Sequence, residues 1–166
     1  MLIALYLVAI VAANLSVAYF GPASTIVNAF LFIGLDITTR DMLHEQWDHK
    51  QLWWKMGALI ASGSALSWVL NKNAGPIALA SLVAFAAAGL ADTIVYHFLR
   101  RHGKMLKVNG SNLVSAAVDS IVFPTVAFGA FMPWIAAGQF VAKVAGGFLW
   151  SLLLNRVAWQ KKAAER

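Results

Sequence analysis

The sequence predicts an all-α integral membrane bundle of six transmembrane helices with both termini on the cytoplasmic side. Three observations carry that reading. Of the 166 residues, 60% are hydrophobic and only 12% charged, about half the charged share of an ordinary soluble domain. The apolar residues come in long blocks separated by short polar breaks rather than in amphipathic stripes. Lysine and arginine alternate between those breaks. No polar stretch is long enough to separate domains, so residues 1–166 read as one unit.

A spanning helix needs about 20 mostly apolar residues. The first block, near 2–20, opens on Met1-Leu2-Ile3 without a basic lead and reads as a retained helix, not a cleaved signal peptide. Gly21-Pro22 breaks it, and a second helix is expected near 22–38. A third is expected near 53–70 and a fourth near 76–99. The last long block is cut by Met132-Pro133 into a fifth helix near 111–131 and a sixth near 133–156. Pro22, Pro76 and Pro133 would each open an even-numbered helix, at the first-turn position where proline costs least. Gly110 and Ser111 read as the start of the fifth helix. Pro124 falls inside that helix and should kink or loosen it.

Of the 13 lysines and arginines, Arg40, Lys50, Lys55, Arg100, Arg101, Lys104, Lys107, Arg156, Lys161, Lys162 and Arg166 lie in the breaks after helices two and four and in the C-terminal tail. Only Lys72 lies in the other breaks, so both termini are placed in the cytoplasm. The net charge of +6 is then a matter of topology and implies no nucleic-acid partner. The polar segment 40–55 reads as a short interfacial helix or loop, with Trp47, Trp53 and Trp54 suited to the membrane interface. His44, Glu45 and His49 have the spacing HExxxH, not HExxH, so no zinc site is expected. With no cysteine in the chain, thiolate metal sites, disulfides and cysteine nucleophiles are excluded. No cofactor is implied.

Four ionisable residues lie well inside the expected spans, away from their ends: Asp36, Asp92, Asp119 and Lys143. A charge within a bilayer costs about 2.5–3.5 kcal/mol on insertion scales, so such groups face the bundle interior or a watery cavity, and they pair. Counted from the expected cytoplasmic helix ends at about 1.5 Å per residue, Asp92, Asp119 and Lys143 fall at similar depth. Asp36 has Arg40 one turn away. One lysine cannot neutralise two aspartates, so one carboxylate is left to be protonated, solvated or matched by a ligand.

Their neighbours suggest a pocket. Asn112, Ser115 and Asp119 share one helical face, as do Phe85, Ala88, Gly89, Asp92 and Tyr96. Gln139, Lys143, Gly146, Gly147 and Trp150 form a third face, and Thr25, Asn28, Phe32, Asp36 and Arg40 a fourth. Carboxylates and amides beside small and aromatic residues are what a flat polar molecule needs. The competing account is a salt bridge from Lys143 to Asp92 or Asp119 that only ties helices together, with the small residues serving helix packing. Asn14, alone in the first helix, reads as a helix–helix hydrogen bond or as support behind the site. Helix three looks like a packing helix. A faint repeat between "GLDITTRDMLHE" and "GLADTIVYHFLRR" suggests two three-helix halves.

"FLFIGLDITTRD", "GLADTIVYHFLRR", "SNLVSAAVDSIVFPTVAFG" and "GQFVAKV" occur in this order, each at one of these charges. In this the chain resembles the VUT family of small six-helix membrane proteins, the queuosine precursor transporters, from Asn14 to about Asn155. The resemblance implies that Asp36, Arg40, Asp92, Ser111, Asp119 and Lys143 are the family's marked polar positions. It implies uptake of a 7-deazaguanine base such as preQ0 across a bacterial cytoplasmic membrane without a separate ATPase subunit. The chain departs from the family where glutamine often precedes each deep aspartate by three residues: here Gly89 and Ala116 stand there. It is also compact, as versions of metabolic proteins in phage genomes are.

The expected partners are therefore a small-molecule base, the lipid bilayer and, if the spare carboxylate carries one, a proton. Asp92 or Asp119 would accept from the ring N–H and amino group together. Lys143 or Asn112 would serve the ring carbonyl, and Phe85, Tyr96 or Trp150 would stack on the ring. The alternatives are a substrate-binding component for another purine-like compound or vitamin, and a non-transport scaffold with a structural charge network. No serine–histidine pair, metal cluster or phosphate loop falls at one depth, so an enzyme is not expected.

Overall fold

A computed structural model of the chain describes residues 2–47 and 52–164, which are helical nearly throughout and include no strand. Helix α1 is Leu2–Phe20. Helix α2 covers 24–46 as three joined segments: Ser24–Asn28, a π-helical turn Ala29–Ile33, and Gly34–Gln46. Helix α3 is Leu52–Leu70, α4 is Gly75–Phe98, α5 is Lys104–Phe128 and α6 is Pro133–Ala164. Short 3-10 turns, Lys72–Ala74 and Leu99–Arg101, flank α4.

The helices close into a ring. α1 packs on α3, α3 on α4, α4 on α5, α5 on α6, α6 on α2, and α2 back on α1. One end of the ring has very short connections, and two of these turn on glycines with positive φ. Gly21 at +73° ends α1, its N–H reaching the Val17 carbonyl at 2.9 Å, and Gly129 at +70° ends α5. Residues with a Cβ rarely adopt that conformation. At the third turn the Asn71 side chain accepts from the Asn73 N–H at 3.0 Å.

Burial is inverted relative to a soluble domain. The outer surface carries Tyr19, Phe20, Val69, Leu90, Phe131, Trp134, Val141 and Phe148, while Asn14, Thr25, Asn28, Ser115, Gln139 and Lys143 are buried. Water would not tolerate the first arrangement over so wide a surface, and hydrocarbon would not tolerate the converse. Four stretches are long and apolar enough to cross a membrane: Leu2–Phe20, Lys72–Phe98, Asn109–Phe128 and Pro133–Leu154. α2, split by its π turn and charged at Asp36 and Arg40, is not among them. Neither is α3, which carries Lys55 and Ser62, Ser64 and Ser67. The chain is a multi-pass membrane protein.

Several expected limits move. α2 continues to Gln46, so 40–46 is helix and not a loop. α5 begins at Lys104 behind an extended Gly103, which places Gly110 and Ser111 inside the helix instead of at its start. α6 runs on to Ala164. The physical reason is common to all three: lysine, arginine, glutamate and glutamine form helix well. An apolar run therefore marks what lipid covers, not where a helix stops. Pro22 precedes α2, its carbonyl accepting from the Thr25 N–H and hydroxyl at 3.1 and 2.7 Å. Pro76 and Pro133 do open their helices. α5 stays helical through the buried Pro124. Trp47 lies under the Lys55 ammonium, 5.1 Å from its ring centroid, and Trp54 is exposed. His49 and the side chains of His44, Glu45 and Trp53 lie outside the described residues.

Candidate functional site

The ring encloses a cavity of about 120 Å³ walled by all six helices. Distances into it can be counted from the short-turn end at about 1.5 Å per residue. Asn14, Thr25, Asn28, Ser81 and Gln139 lie within about 9 Å of that end. Phe85, Asp119 and Lys143 stand together at roughly 14–15 Å. Tyr6, Asp36, Arg40 and Asn112 line the far part, at roughly 18–24 Å.

Lys143 is the electrostatic centre. It is 2% exposed, and its ammonium donates to Asp119 Oδ2 at 2.5 Å, Ser120 Oγ at 3.0 Å and Gln139 Oε1 at 3.2 Å. An ammonium has three N–H bonds and no acceptor, so protein atoms already occupy its whole donor capacity. In this arrangement Lys143 has no N–H left over for a ring carbonyl. Asp119 is different. Its side chain is 25% exposed, and a carboxylate accepts at about four lone-pair sites, so it holds the lysine and still has acceptor capacity toward the cavity. The Ser120 hydroxyl receives the lysine and passes its own hydrogen to the Ala116 carbonyl at 2.7 Å.

A close crossing of α2 and α6 sets this geometry. A Cβ on Gly146 would stand 2.2 Å from the Phe30 carbonyl oxygen, and one on Gly34 would stand 2.6 Å from the Gly146 carbonyl carbon. Only glycine lets these backbones approach so far. Thr38 ties the same crossing, its hydroxyl lying 3.0 Å from the Gly34 carbonyl and 3.2 Å from that of Gly147. The π turn sits at this crossing. Such turns leave backbone groups outside the α-helical ladder, and the Trp150 indole N–H donates to the Leu31 carbonyl there at 2.9 Å. Gly146 and Trp150 thus build the crossing and do not face the cavity.

On the opposite side, Asn14 joins three helices. Its amide N–H donates to Ser67 of α3 at 3.2 Å, and its oxygen accepts from Ser81 of α4 at 2.6 Å. The expectation of a helix–helix hydrogen bond at Asn14 holds, and the residue also lines the cavity.

Of the residues singled out from sequence, Asn28, Asp36, Arg40, Phe85, Asn112, Ser115, Asp119, Gln139 and Lys143 meet around the one cavity. Ser111 is buried but off its wall. Asp92, Tyr96 and Trp150 also lie off the wall. Asp92 is roughly 26 Å from the short-turn end against about 14 Å for Asp119, so the two do not share a depth. Its Oδ1 is buried with no hydrogen-bond partner among the described residues. Among the wall residues that the sequence reading did not place at the site are Tyr6, Ser81 and Phe123. Each had a helical signal. Tyr6 is two turns before Asn14, Ser81 one turn before Phe85, and Phe123 one turn after Asp119.

A groove of about 540 Å³ adjoins the cavity. It runs between α2 and α5 with α6 as its floor, lined by residues such as Met42, Asn109, Val144 and Phe148, and it shares Ile37, Asn112, Ala116 and Lys143 with the cavity wall.

The family described as "Putative vitamin uptake transporter" matches residues 3–157, nearly the whole chain, and the chain belongs to it. No curated protein and no solved structure matches.

Proposed function

We propose that this member of a transporter family imports a 7-deazaguanine base, a queuosine precursor such as preQ0, across a bacterial cytoplasmic membrane. The observation that carries the proposal is the Asp119–Lys143 pair on the wall of a central cavity, beside Phe85 and Phe123. The pair cancels its own charge, which favours a neutral ligand. The acceptor capacity left on Asp119 suits a ring N–H beside an exocyclic amino group. Phe85 and Phe123 offer faces for stacking, worth about 1–3 kcal/mol per base in other sites.

Size supports a small planar ligand. An apolar cavity of about 150 Å³ takes up benzene, so 120 Å³ is of the order of one ring. The adjoining groove we take as the route to the cytoplasm. In this reading all six helices span, with the short turns outside and both termini inside. Release then passes between α2 and α5. Loss of uptake on adding an uncoupler distinguishes proton-coupled import from facilitated diffusion.

The test is uptake of labelled base by cells lacking their own importer, followed by direct binding to the purified protein. Saturable uptake that disappears in Asp119→Asn is expected. Undiminished uptake by a folded Asp119→Asn variant contradicts the proposal. A second reading, another purine-like compound or a vitamin, is favoured by the family's description and by Ala116. That residue lines the cavity, at a position where the family resemblance implies glutamine. A binding screen that includes guanine and vitamins separates the two.

A further inference from the structure

The short-turn end of the cavity is a cup without charge, and its hydrogen bonding is unbalanced. Thr25 turns its hydroxyl hydrogen to the Pro22 carbonyl, and Ser81 turns its own to Asn14. Two amides remain. Asn28 on α2 is 4% exposed and Gln139 on α6 is 2% exposed, yet Asn28 Nδ2 and Gln139 Nε2 have no hydrogen-bond partner among the described residues. The orientation of Gln139 is fixed chemically. Its oxygen accepts from Lys143, which can only donate, so the –NH₂ is the end left over. The two amides come from helices that cross beside them: a Cβ on Gly138 would meet Ile26 Cδ1 at 2.6 Å. Both line the cavity.

A buried amide donor left without a partner costs roughly 1–3 kcal/mol. Two of them on one wall, from two helices, mark a place where something else supplies acceptors. We propose that Asn28 and Gln139 form an acceptor-binding subsite, which takes a carbonyl, nitrile or ring nitrogen of the ligand and rejects an amine there. The site is then polarised. Its Asp119 level accepts hydrogen bonds and its cup donates them, so the ligand is held in one orientation. This rests on the base reading above. In a 7-deazaguanine the substituent at C7 lies across the ring system from the N–H and amino edge that Asp119 would hold. An acceptor at C7 suits the cup, and an aminomethyl group does not.

The experiment measures binding of 7-cyano-, 7-aminomethyl- and unsubstituted 7-deazaguanine to the purified full chain in lipid nanodiscs. Wild type is expected to bind the cyano compound at least about tenfold more tightly than the aminomethyl one, the value of one good buried hydrogen bond. Gln139→Glu keeps an oxygen for Lys143 but replaces the donor by an acceptor, and is expected to reverse that order. Asn28→Val, which removes a donor without burying a charge, is expected to lower cyano affinity about tenfold and leave the unsubstituted base within about threefold. Equal binding of the cyano and aminomethyl compounds by wild type, or an unchanged order in folded Gln139→Glu, overturns the subsite while leaving the base reading intact. Failure of wild type to bind any of the three overturns both.

Discussion

Asp119 and Asp92 look alike in the sequence and are unlike in the molecule. Each is a lone carboxylate in an apolar helix, on neighbouring helices that pack closely. Asp119 lies level with Lys143, bonds it, and keeps a quarter of its surface open on the cavity wall. Asp92 lies roughly 12 Å nearer the charged end of the bundle and off that wall. The difference teaches that an intramembrane charge acquires its role from the direction it faces and from its partner, not from being in the membrane. Asp119 is a group that a ligand can reach. Asp92 stands off the cavity wall, with one carboxylate oxygen buried and no hydrogen-bond partner for it among the described residues.

The largest effect should come from Lys143→Met. Removing one member of a buried pair costs about 3–5 kcal/mol, so folded protein and uptake should both collapse, as read by size-exclusion chromatography and a transport assay. The double variant Asp119→Asn with Lys143→Met removes the unpaired charge. It should recover folded protein yet still not bind the base. If it also recovers transport, the pair is only a brace and the scaffold account is right.

Next is Gly146→Ala. Its methyl group must displace the Phe30 carbonyl, and overpacking of this kind costs about 1–3 kcal/mol. The melting temperature should fall while residual affinity stays, because Gly146 touches no ligand. Asp92→Asn should sharpen the comparison from the other side. The yield or stability of the protein changes, but the affinity of what folds stays within about twofold, far below the effect of one lost charged hydrogen bond.

The smallest effect probes the groove. Since the chain has no native cysteine, Val144→Cys introduces a single thiol on the groove wall. Labelling of that thiol by a membrane-permeant maleimide should be slowed by bound base, and a bulky adduct should block uptake. Tyr19→Cys, on the outer surface near the short turns, should label at the same rate with or without base. Equal insensitivity at both positions removes the groove from the transport route.

Much of this was legible in the sequence because the bilayer makes polarity expensive. The long apolar blocks gave six helices, Pro76 and Pro133 marked two starts, and depth gave Lys143 a carboxylate partner without deciding between Asp92 and Asp119. What stayed hidden had physical reasons. Residues 104–109 carry two lysines and an asparagine, so α5 was expected to begin at Gly110, and most of the apparent match in depth between Asp119 and Asp92 came from that shift. The π turn in "AFLFI" has no signature in its own residues. It is visible only through what crosses it, Gly146 and the Trp150 indole. Small and aromatic residues on the Lys143 face read equally as pocket or packing. Backbone approach decides between them, and a sequence does not contain that distance. A tyrosine near a helix end, such as Tyr6, suits a membrane interface as well as a core.

The central claim is that the Asp119–Lys143 level, and not Asp92, is where the transported base is held. Isothermal titration of 7-cyano-7-deazaguanine into wild type, Asp119→Asn and Asp92→Asn, each verified as folded, tests it most directly. The account predicts saturable binding by wild type and Asp92→Asn with similar affinity, and none detectable by Asp119→Asn. Retained binding by Asp119→Asn together with its loss in Asp92→Asn would contradict it.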